Sequence, residues 1–157
     1  MTDLSRRTAL KGAGAGSLLA AAMAAGLLRP SDALADWNRG AFESKTVGDA
    51  LKNLRMASPA ESKDIAIRAP DIAENGAVVP IEIQSGVAGT RSIAVLIEKN
   101  PFPYAASFDI SQGALPFVAL RVKIGESSNV RAVVATADGK FYTAVKEVKV
   151  TIGGCGG

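Results

Sequence analysis

The chain has 157 residues, of which none is histidine and one is cysteine. Without histidine it can form no Ser-His or Cys-His nucleophile pair, no imidazole general base and no histidine-ligated zinc, copper or haem iron. A single cysteine forms no disulfide within the chain and no thiolate cluster for zinc or an iron–sulfur centre. The sequence therefore predicts a protein that binds no cofactor, is not an enzyme by itself and presents one reactive sulfur.

Residues 1–35 have the features of an export signal that is removed from the mature protein. A basic start containing Arg6 and Arg7 is followed by an uncharged stretch over residues 12–28, and a small-x-small site places cleavage between Ala35 and Asp36. A membrane anchor is the alternative. The uncharged stretch is rich in glycine and alanine and shorter than the about 20 apolar residues that a membrane span needs, so we expect no stable anchor.

The start of this segment, SRRTALK at residues 5–11, resembles the twin-arginine pattern S-R-R-x-F-L-K, with Ala9 in the place of the usual phenylalanine. The resemblance implies a protein that folds in the cytoplasm and is then exported to the periplasm. Folded export often serves proteins that hold a cofactor or a partner. Because the chain has no ligands for a common metal cofactor, a partner protein is the expected reason.

Charge is nearly balanced once the signal is removed. The whole chain has 18 basic and 15 acidic residues, whereas the part from Asp36 onward has 14 and 13. Aromatic residues make up 5% of the chain, and the sequence has no basic cluster. Nucleic-acid binding is therefore excluded, because it needs a basic surface.

Residues 36–152 predict one domain with a short helix followed by strands. Thr46 fits an N-cap with Asp49 as a variant capping box, and apolar residues follow at helical spacing up to Leu54. We expect this helix to cover one end of a β core. The later runs predict about seven strands: one at Ile65 and Ile67, then 78–84, 93–98, 106–110, 117–124, 130–137 and 140–152.

The even spacing of these runs is typical of an immunoglobulin-like antiparallel β-sandwich. Pro80 predicts an edge strand or a bulge, and Asp138-Gly139 predicts a tight hairpin with positive φ at both positions. The segment from Asn100 to Tyr104 holds two aromatic residues among prolines. Such a segment is either a partner contact or a plug at the end of the sandwich, since aromatic residues are enriched in both settings.

The chain ends in GGCGG, which consists of Gly153, Gly154, Cys155, Gly156 and Gly157. A lone cysteine is most often buried and inert, but nothing local can bury a cysteine that lies three residues from the terminus between glycines. Residues 153–157 therefore predict a thin, flexible arm that carries an exposed thiol. No Lys, Arg or His flanks Cys155, so we expect other proteins to act on this thiol.

The GGCGG ending, the V-K-V-T strand before it and the twin-arginine leader resemble the SoxY family, the sulfur carriers of bacterial thiosulfate oxidation (the Sox system). The resemblance extends over the mature chain and is most specific in the tail. It implies that Cys155 is the covalent attachment point for pathway intermediates, the first of which is a cysteine S-thiosulfonate. The substrate is thus bound covalently, and no cofactor is implied for this chain.

The same resemblance implies four partners. The first is a SoxZ-like β-sandwich subunit that forms a heterodimer with this chain. A SoxAX-like haem protein joins thiosulfate to the cysteine, a SoxB-like hydrolase removes sulfate, and in some organisms a SoxCD-like sulfane dehydrogenase oxidises the remaining sulfur.

Two other functions fit parts of the sequence. A ubiquitin-like carrier would be activated as a thiocarboxylate on Gly156-Gly157, but export separates the protein from cytosolic ATP. A structural or interaction module would use Cys155 for an intermolecular disulfide, which an oxidising compartment permits.

Overall fold

The computed structural model describes residues 38–151 and contains two short helices and nine strands. The helices are α1 (Arg39–Phe42) and α2 (Val47–Asn53). The strands are β1 (Ala60–Glu61), β2 (Ile65–Arg68), β3 (Ile72–Ala73), β4 (Val79–Ser85), β5 (Thr90–Ile97), β6 (Tyr104–Asp109), β7 (Phe117–Val122), β8 (Ser128–Thr136) and β9 (Phe141–Val150). No helix among these residues is long and apolar enough to cross a membrane.

Two sheets form the domain. The larger sheet has the order β1-β9-β8-β5-β6, with β3 also paired to β9, and the smaller sheet has the order β2-β4-β7. All pairs among the longer strands are antiparallel, whereas the two-residue strands β1 and β3 run parallel to β9. The predicted β-sandwich is confirmed, with these two parallel strands as additions.

The two sheets pack through side chains that alternate along the strands. In β4, Val79, Ile81 and Ile83 are buried while the residues between them are exposed, because successive side chains of a strand point to opposite faces. The same alternation places Val118 and Val122 of β7 in the core, and Ile124 extends that face beyond the strand. The larger sheet contributes Ile93, Val95, Ile97, Val130, Ala132, Val134 and Val148.

A second, smaller core lies on the other face of the larger sheet. Ala94 and Leu96 of β5 and Val133 of β8 cluster there with Ala50 and Leu51 of α2. The expectation that the helix covers one end of the β core is therefore wrong, since the helix covers a face of a sheet. All five residues from Ile93 to Ile97 are buried, which is typical of a strand covered on both sides.

The predicted start of α2 is confirmed. Thr46 is the N-cap, and its hydroxyl accepts a hydrogen bond from the Asp49 backbone N–H at 3.1 Å. The hydroxyl also donates to the Asp49 carboxylate at 2.8 Å. The first of these bonds satisfies a backbone N–H that the first turn of a helix leaves without a partner.

Two details differ from the sequence-based expectation. Pro80 lies in β4, the central strand of the smaller sheet, but β2 ends opposite Glu82, so only β7 flanks the proline. The β8–β9 connection spans residues 137–140, and of Asp138 and Gly139 only the glycine has positive φ, at 78°. The hairpin is thus confirmed, but the turn with two positive φ angles is wrong.

The C-terminal end of α2 contains a strained arginine. The N–H of Met56 donates to the Leu51 carbonyl and the N–H of Arg55 donates to the Lys52 carbonyl, which is the Schellman arrangement. It requires a left-handed residue, and Arg55 has φ 57°. Glycine usually occupies this position, because a side chain is unfavourable there by about 1–2 kcal/mol.

We therefore expect Arg55→Gly to stabilise the domain. Relief of the backbone strain outweighs the extra freedom of glycine in the unfolded chain, for a net gain of about 0.5–1 kcal/mol. Thermal unfolding should show a rise in Tm of about 2–5 °C. Arg55→Ala is the control, because it removes the charge but keeps the strain; an equal gain in that variant would contradict the explanation.

The β8–β9 turn also contains a perturbed carboxylate. A hydrogen bond from Lys140, at 2.9 Å, and one from the Thr136 hydroxyl lower the pKa of Asp138 to about 2. We expect Lys140→Met to raise this pKa towards its ordinary value of 3.8, as a carboxyl ¹³C NMR titration would show.

The sign of the pH dependence follows from that lowered pKa. The stability that the Asp138 ion pair contributes is fully present when the pH is above the ordinary carboxyl pKa of 3.8. It is lost as the pH falls towards the lowered pKa of about 2. The free energy of unfolding should therefore fall more steeply with acid in the native chain than in Lys140→Met. Equal slopes below pH 4, a bound set by the ordinary carboxyl pKa, would contradict this assignment.

Candidate functional site

The residues that the sequence predicts to function lie outside the described part of the chain. They are Arg6, Arg7, Ala35 and Asp36 of the export signal, and Gly153, Gly154, Cys155, Gly156 and Gly157 of the arm. The structure does describe the last residues before the arm. Val150 and Thr151, which we call the arm root, end β9 and its hydrogen bonding.

The arm root is fixed on the side that faces β8. The last β8–β9 pair joins Ser128 to Val148, so the backbone ladder ends two residues before Val150. The hydroxyl of Ser127 then takes the place of a further ladder partner, because it accepts the Val150 N–H at 2.9 Å. It also lies 3.5 Å from the Val150 carbonyl oxygen.

The arm root is fixed on its other side by β3 and the residue that follows it. The Thr151 N–H donates to the Ala73 carbonyl at 3.1 Å, and the Thr151 hydroxyl donates to the Glu74 carbonyl at 3.1 Å. A hydroxyl thus prolongs the hydrogen bonding of β9 on each side. The described chain is therefore held by hydrogen bonds up to its last residue, Thr151.

An ion pair holds the same edge of the sheet together. Lys146 of β9 contacts Asp71, the residue before β3, at 2.7 Å. This hydrogen bond and the charge of Lys146 lower the pKa of Asp71. The ion pair therefore joins the residue before β3 to the strand that leads to the arm.

Asn100 joins two loops at the end of the sandwich where the arm root lies. Its side-chain amide donates to the Lys123 carbonyl at 2.8 Å, and its side-chain oxygen accepts the Gly125 N–H at 3.0 Å. In the same loop, the Lys99 N–H donates to the Ser128 hydroxyl at 3.0 Å. The loop after β5 is thus held against the segment that supports the arm root.

The two aromatic residues of the loop from Asn100 to Tyr104 have different surroundings. Tyr104 is buried; its ring lies 4.4 Å from the ring of Phe42, and its hydroxyl donates to Ser107. Phe102 is 47% exposed, and the Lys45 ammonium lies 3.6 Å from its ring centre. Tyr104 therefore belongs to the second core, and the partner contact stays a prediction for Phe102.

Within residues 38–151 no group of three or more acidic, histidine or cysteine side chains is placed to hold a metal ion. No buried side-chain nitrogen or oxygen in that range lacks a hydrogen-bond partner. The acidic residues Asp109, at the end of β6, and Glu126, in the connection between β7 and β8, are both exposed.

Comparison with known proteins gives a family match. The family model described as "Sulfur oxidation protein SoxY" matches residues 51–155, a range that begins in α2 and ends at Cys155. A solved structure of the sulfur carrier protein SoxY from Chlorobium limicola f thiosulfatophilum is 40% identical, with a TM-score of 0.58. It aligns with 66% of this chain and 96% of that chain. No curated protein sequence matches.

Two superoxide reductases are also similar. The neelaredoxin from Ignicoccus hospitalis has 22% identity and a TM-score of 0.49, over 55% of this chain and 79% of that one. The enzyme from Nanoarchaeum equitans has 12% identity and a TM-score of 0.49, over 58% of this chain and 100% of that one. No conclusion about this chain rests on scores of that size.

The geometry of the arm root predicts what each hydroxyl does. In Ser127→Ala the Val150 N–H loses its acceptor, so we expect its protection from hydrogen exchange to fall about 3–10-fold, which corresponds to a net hydrogen bond of about 0.5–1.5 kcal/mol. Thr151→Val should affect only the bond to Glu74. Ser85→Ala is the matched control, because its hydroxyl accepts the Val87 N–H at the opposite end of the sandwich. Unchanged protection of Val150 in Ser127→Ala would contradict the prediction.

Proposed function

Because the chain belongs to the SoxY family of sulfur oxidation proteins, we propose that it is a covalent sulfur carrier in periplasmic thiosulfate oxidation. The observation that carries this proposal is the extent of the family match, which ends at the one cysteine of the chain. The structure supports it through the arm root, since Cys155 follows Thr151 by only four residues. The sandwich thus serves as the rigid base from which the thiol is presented.

Loading attaches thiosulfate to the Cys155 sulfur. A bond forms between Cys155 Sγ and the terminal sulfur of thiosulfate, the thiol proton is released, and two electrons leave. The product is a cysteine S-thiosulfonate. The two electrons go to the haem of a SoxAX-like partner.

Release removes the oxidised sulfur atom as sulfate. Water attacks the sulfonate sulfur, the S–S bond to that sulfur breaks, and sulfate leaves together with a proton. A persulfide remains on Cys155. A SoxB-like hydrolase performs this step, and a SoxCD-like dehydrogenase, where the organism has one, oxidises the remaining sulfur before a further hydrolysis restores the thiol.

The residues of this chain bind and present the cargo and leave the chemistry to the partners. No Lys, Arg or His flanks Cys155 in the sequence, so nothing beside it activates the thiol as a nucleophile. Glycine on both sides leaves the backbone free to enter a narrow active-site cleft. The arm is therefore a substrate of several enzymes, and the chain itself is not an enzyme.

The leader supports the proposed location. The twin-arginine pattern with Arg6 and Arg7, and the cleavage site at Ala35 and Asp36, favour export of a folded protein to the periplasm. Folded export often serves proteins that hold a cofactor or a partner. For this chain the proposed reason is a SoxZ-like subunit that is exported together with it. The two subunits form the heterodimer that presents Cys155.

Cys155→Ser tests the function. In a system reconstituted with thiosulfate and the partner enzymes, the variant should show no turnover, whereas its Tm should match that of the native chain because residue 155 lies after the last strand. Intact-mass measurement should show the native protein gaining the mass of one S₂O₃ group, on a peptide that contains Cys155. The variant should gain none.

Two results would contradict this proposal. Retained turnover in Cys155→Ser would show that the thiol is not the attachment point. Cargo found on the terminal carboxylate of Gly157 would favour a thiocarboxylate carrier. Ser127→Ala is a suitable control, since it changes the arm root and leaves Cys155 in place.

A further inference from the structure

Phe102 is an exposed aromatic residue at the end of the sandwich where the arm root lies. We propose that the haem-containing enzyme that loads Cys155 docks there and presents an apolar pocket for the Phe102 ring, bordered by carboxylates that face Lys45. The inference rests on the proposed carrier function and adds to it the surface on which the arm is delivered.

The length of the arm limits where such an enzyme can sit. From Thr151 to Cys155 the chain advances four residues, which reach roughly 13–14 Å when fully extended at 3.3–3.6 Å per residue. The mouth of a cleft that receives Cys155 must therefore lie within that distance of the arm root. A standard interface covers about 800 Å² on each partner, a patch of about 16 Å radius, so the end of the sandwich around the arm root is covered during each delivery.

Phe102 lies on this end of the sandwich. The larger sheet runs from β9 through β8 to β5, and neighbouring strands are about 4.8 Å apart. Phe102 lies two residues before β6, which is three strand spacings or about 14 Å from β9 across the sheet. Lys99 and Asn100 tie this loop to Ser128 and Gly125, so its position relative to the arm root is fixed. Phe102 is therefore within the area that an enzyme at the arm root can cover.

The local structure makes Phe102 suitable as an anchor. Its ring is 47% exposed, although the next two residues, Pro103 and Tyr104, are buried. Pro101 and Pro103 restrict the backbone on both sides, so little conformational freedom is lost on binding. Large aromatic side chains that enter a partner's pocket account for much of the binding energy in interfaces.

Lys45 gives the anchor its charge preference. The ammonium group lies 3.6 Å from the centre of the Phe102 ring, where the negative face of the ring attracts it. An enzyme that covers the ring must also accommodate this cation. Carboxylates at the border of the pocket would pair with it, and basic residues there would repel it.

Leu115 provides a matched control. It is 71% exposed and lies in the loop between β6 and β7, at the opposite end of the sandwich from the arm root. The eight residues of β5 separate the two ends, a distance of about 23 Å at 3.3 Å per residue. An enzyme that holds Cys155 in its cleft therefore need not contact Leu115.

The test measures loading of Cys155 by the purified haem-containing enzyme of the same organism, with thiosulfate saturating and the carrier concentration varied. In Phe102→Ala we expect KM for the carrier to rise about tenfold, as for an interface anchor, and kcat to change less than twofold. Phe102→Tyr should keep the native KM, and so should Leu115→Ala. Alkylation of Cys155 by iodoacetamide should proceed at the native rate in every variant.

An unchanged KM in Phe102→Ala would overturn the inference. Loss of the permanent second subunit from Phe102→Ala, seen by gel filtration, would also overturn it by assigning the ring to that interface. A failure of the docking proposal can be distinguished from a failure of the proposed carrier function, because binding to the enzyme can be measured in a variant that cannot be loaded. Cys155→Ser should bind the enzyme with the native Kd, and Cys155→Ser with Phe102→Ala should bind about tenfold more weakly.

Discussion

The bonding of β9 is the constraint on which the rest of the molecule depends. One edge of this strand pairs with β8 from Phe141 to Val148, and its other edge receives β1 and β3. Val148 fills the core between the sheets, so the strand that leads to the arm cannot shift along its axis without unpacking the sandwich. The hydroxyls of Ser127 and Thr151 continue this bonding past the last backbone pair. The residues that lead to the proposed arm are therefore among the most firmly held parts of the fold.

The sequence-based predictions were correct where the pattern was local. The apolar runs at 78–84 and 117–124 marked β4 and β7, Thr46 and Asp49 marked the start of α2, and Asp138-Gly139 marked a hairpin. The arm at residues 153–157 and its thiol stay predictions, because these residues lie outside the described part of the chain. Periodicity indicated how many long strands there are, since each has its own run of apolar residues.

The missed features depend on contacts between distant segments. The strands β1 and β3 have two residues each, which is too short to show a period. One signal in the sequence could have predicted that α2 covers the second face of the larger sheet. The unbroken apolar run from Ile93 to Ile97 is typical of a strand that is buried on both faces. The hydrogen bonds of Ser127 and Asn100 have partners more than 20 residues away, and no local pattern marks these.

The two parallel pairings also bear on whether copies of this protein adhere to one another. A ten-residue strand at the border of a sheet would offer a long row of unpaired backbone groups, the usual template for strand-to-strand aggregation. β1 occupies this border at Tyr142 and Thr143 and β3 occupies it at Lys149 and Val150. Between them lie five residues, 144–148, so the open part of this border is half as long as the ten-residue strand. Two segments of two residues thus shorten the row of unpaired backbone groups with which a second copy could pair along this border.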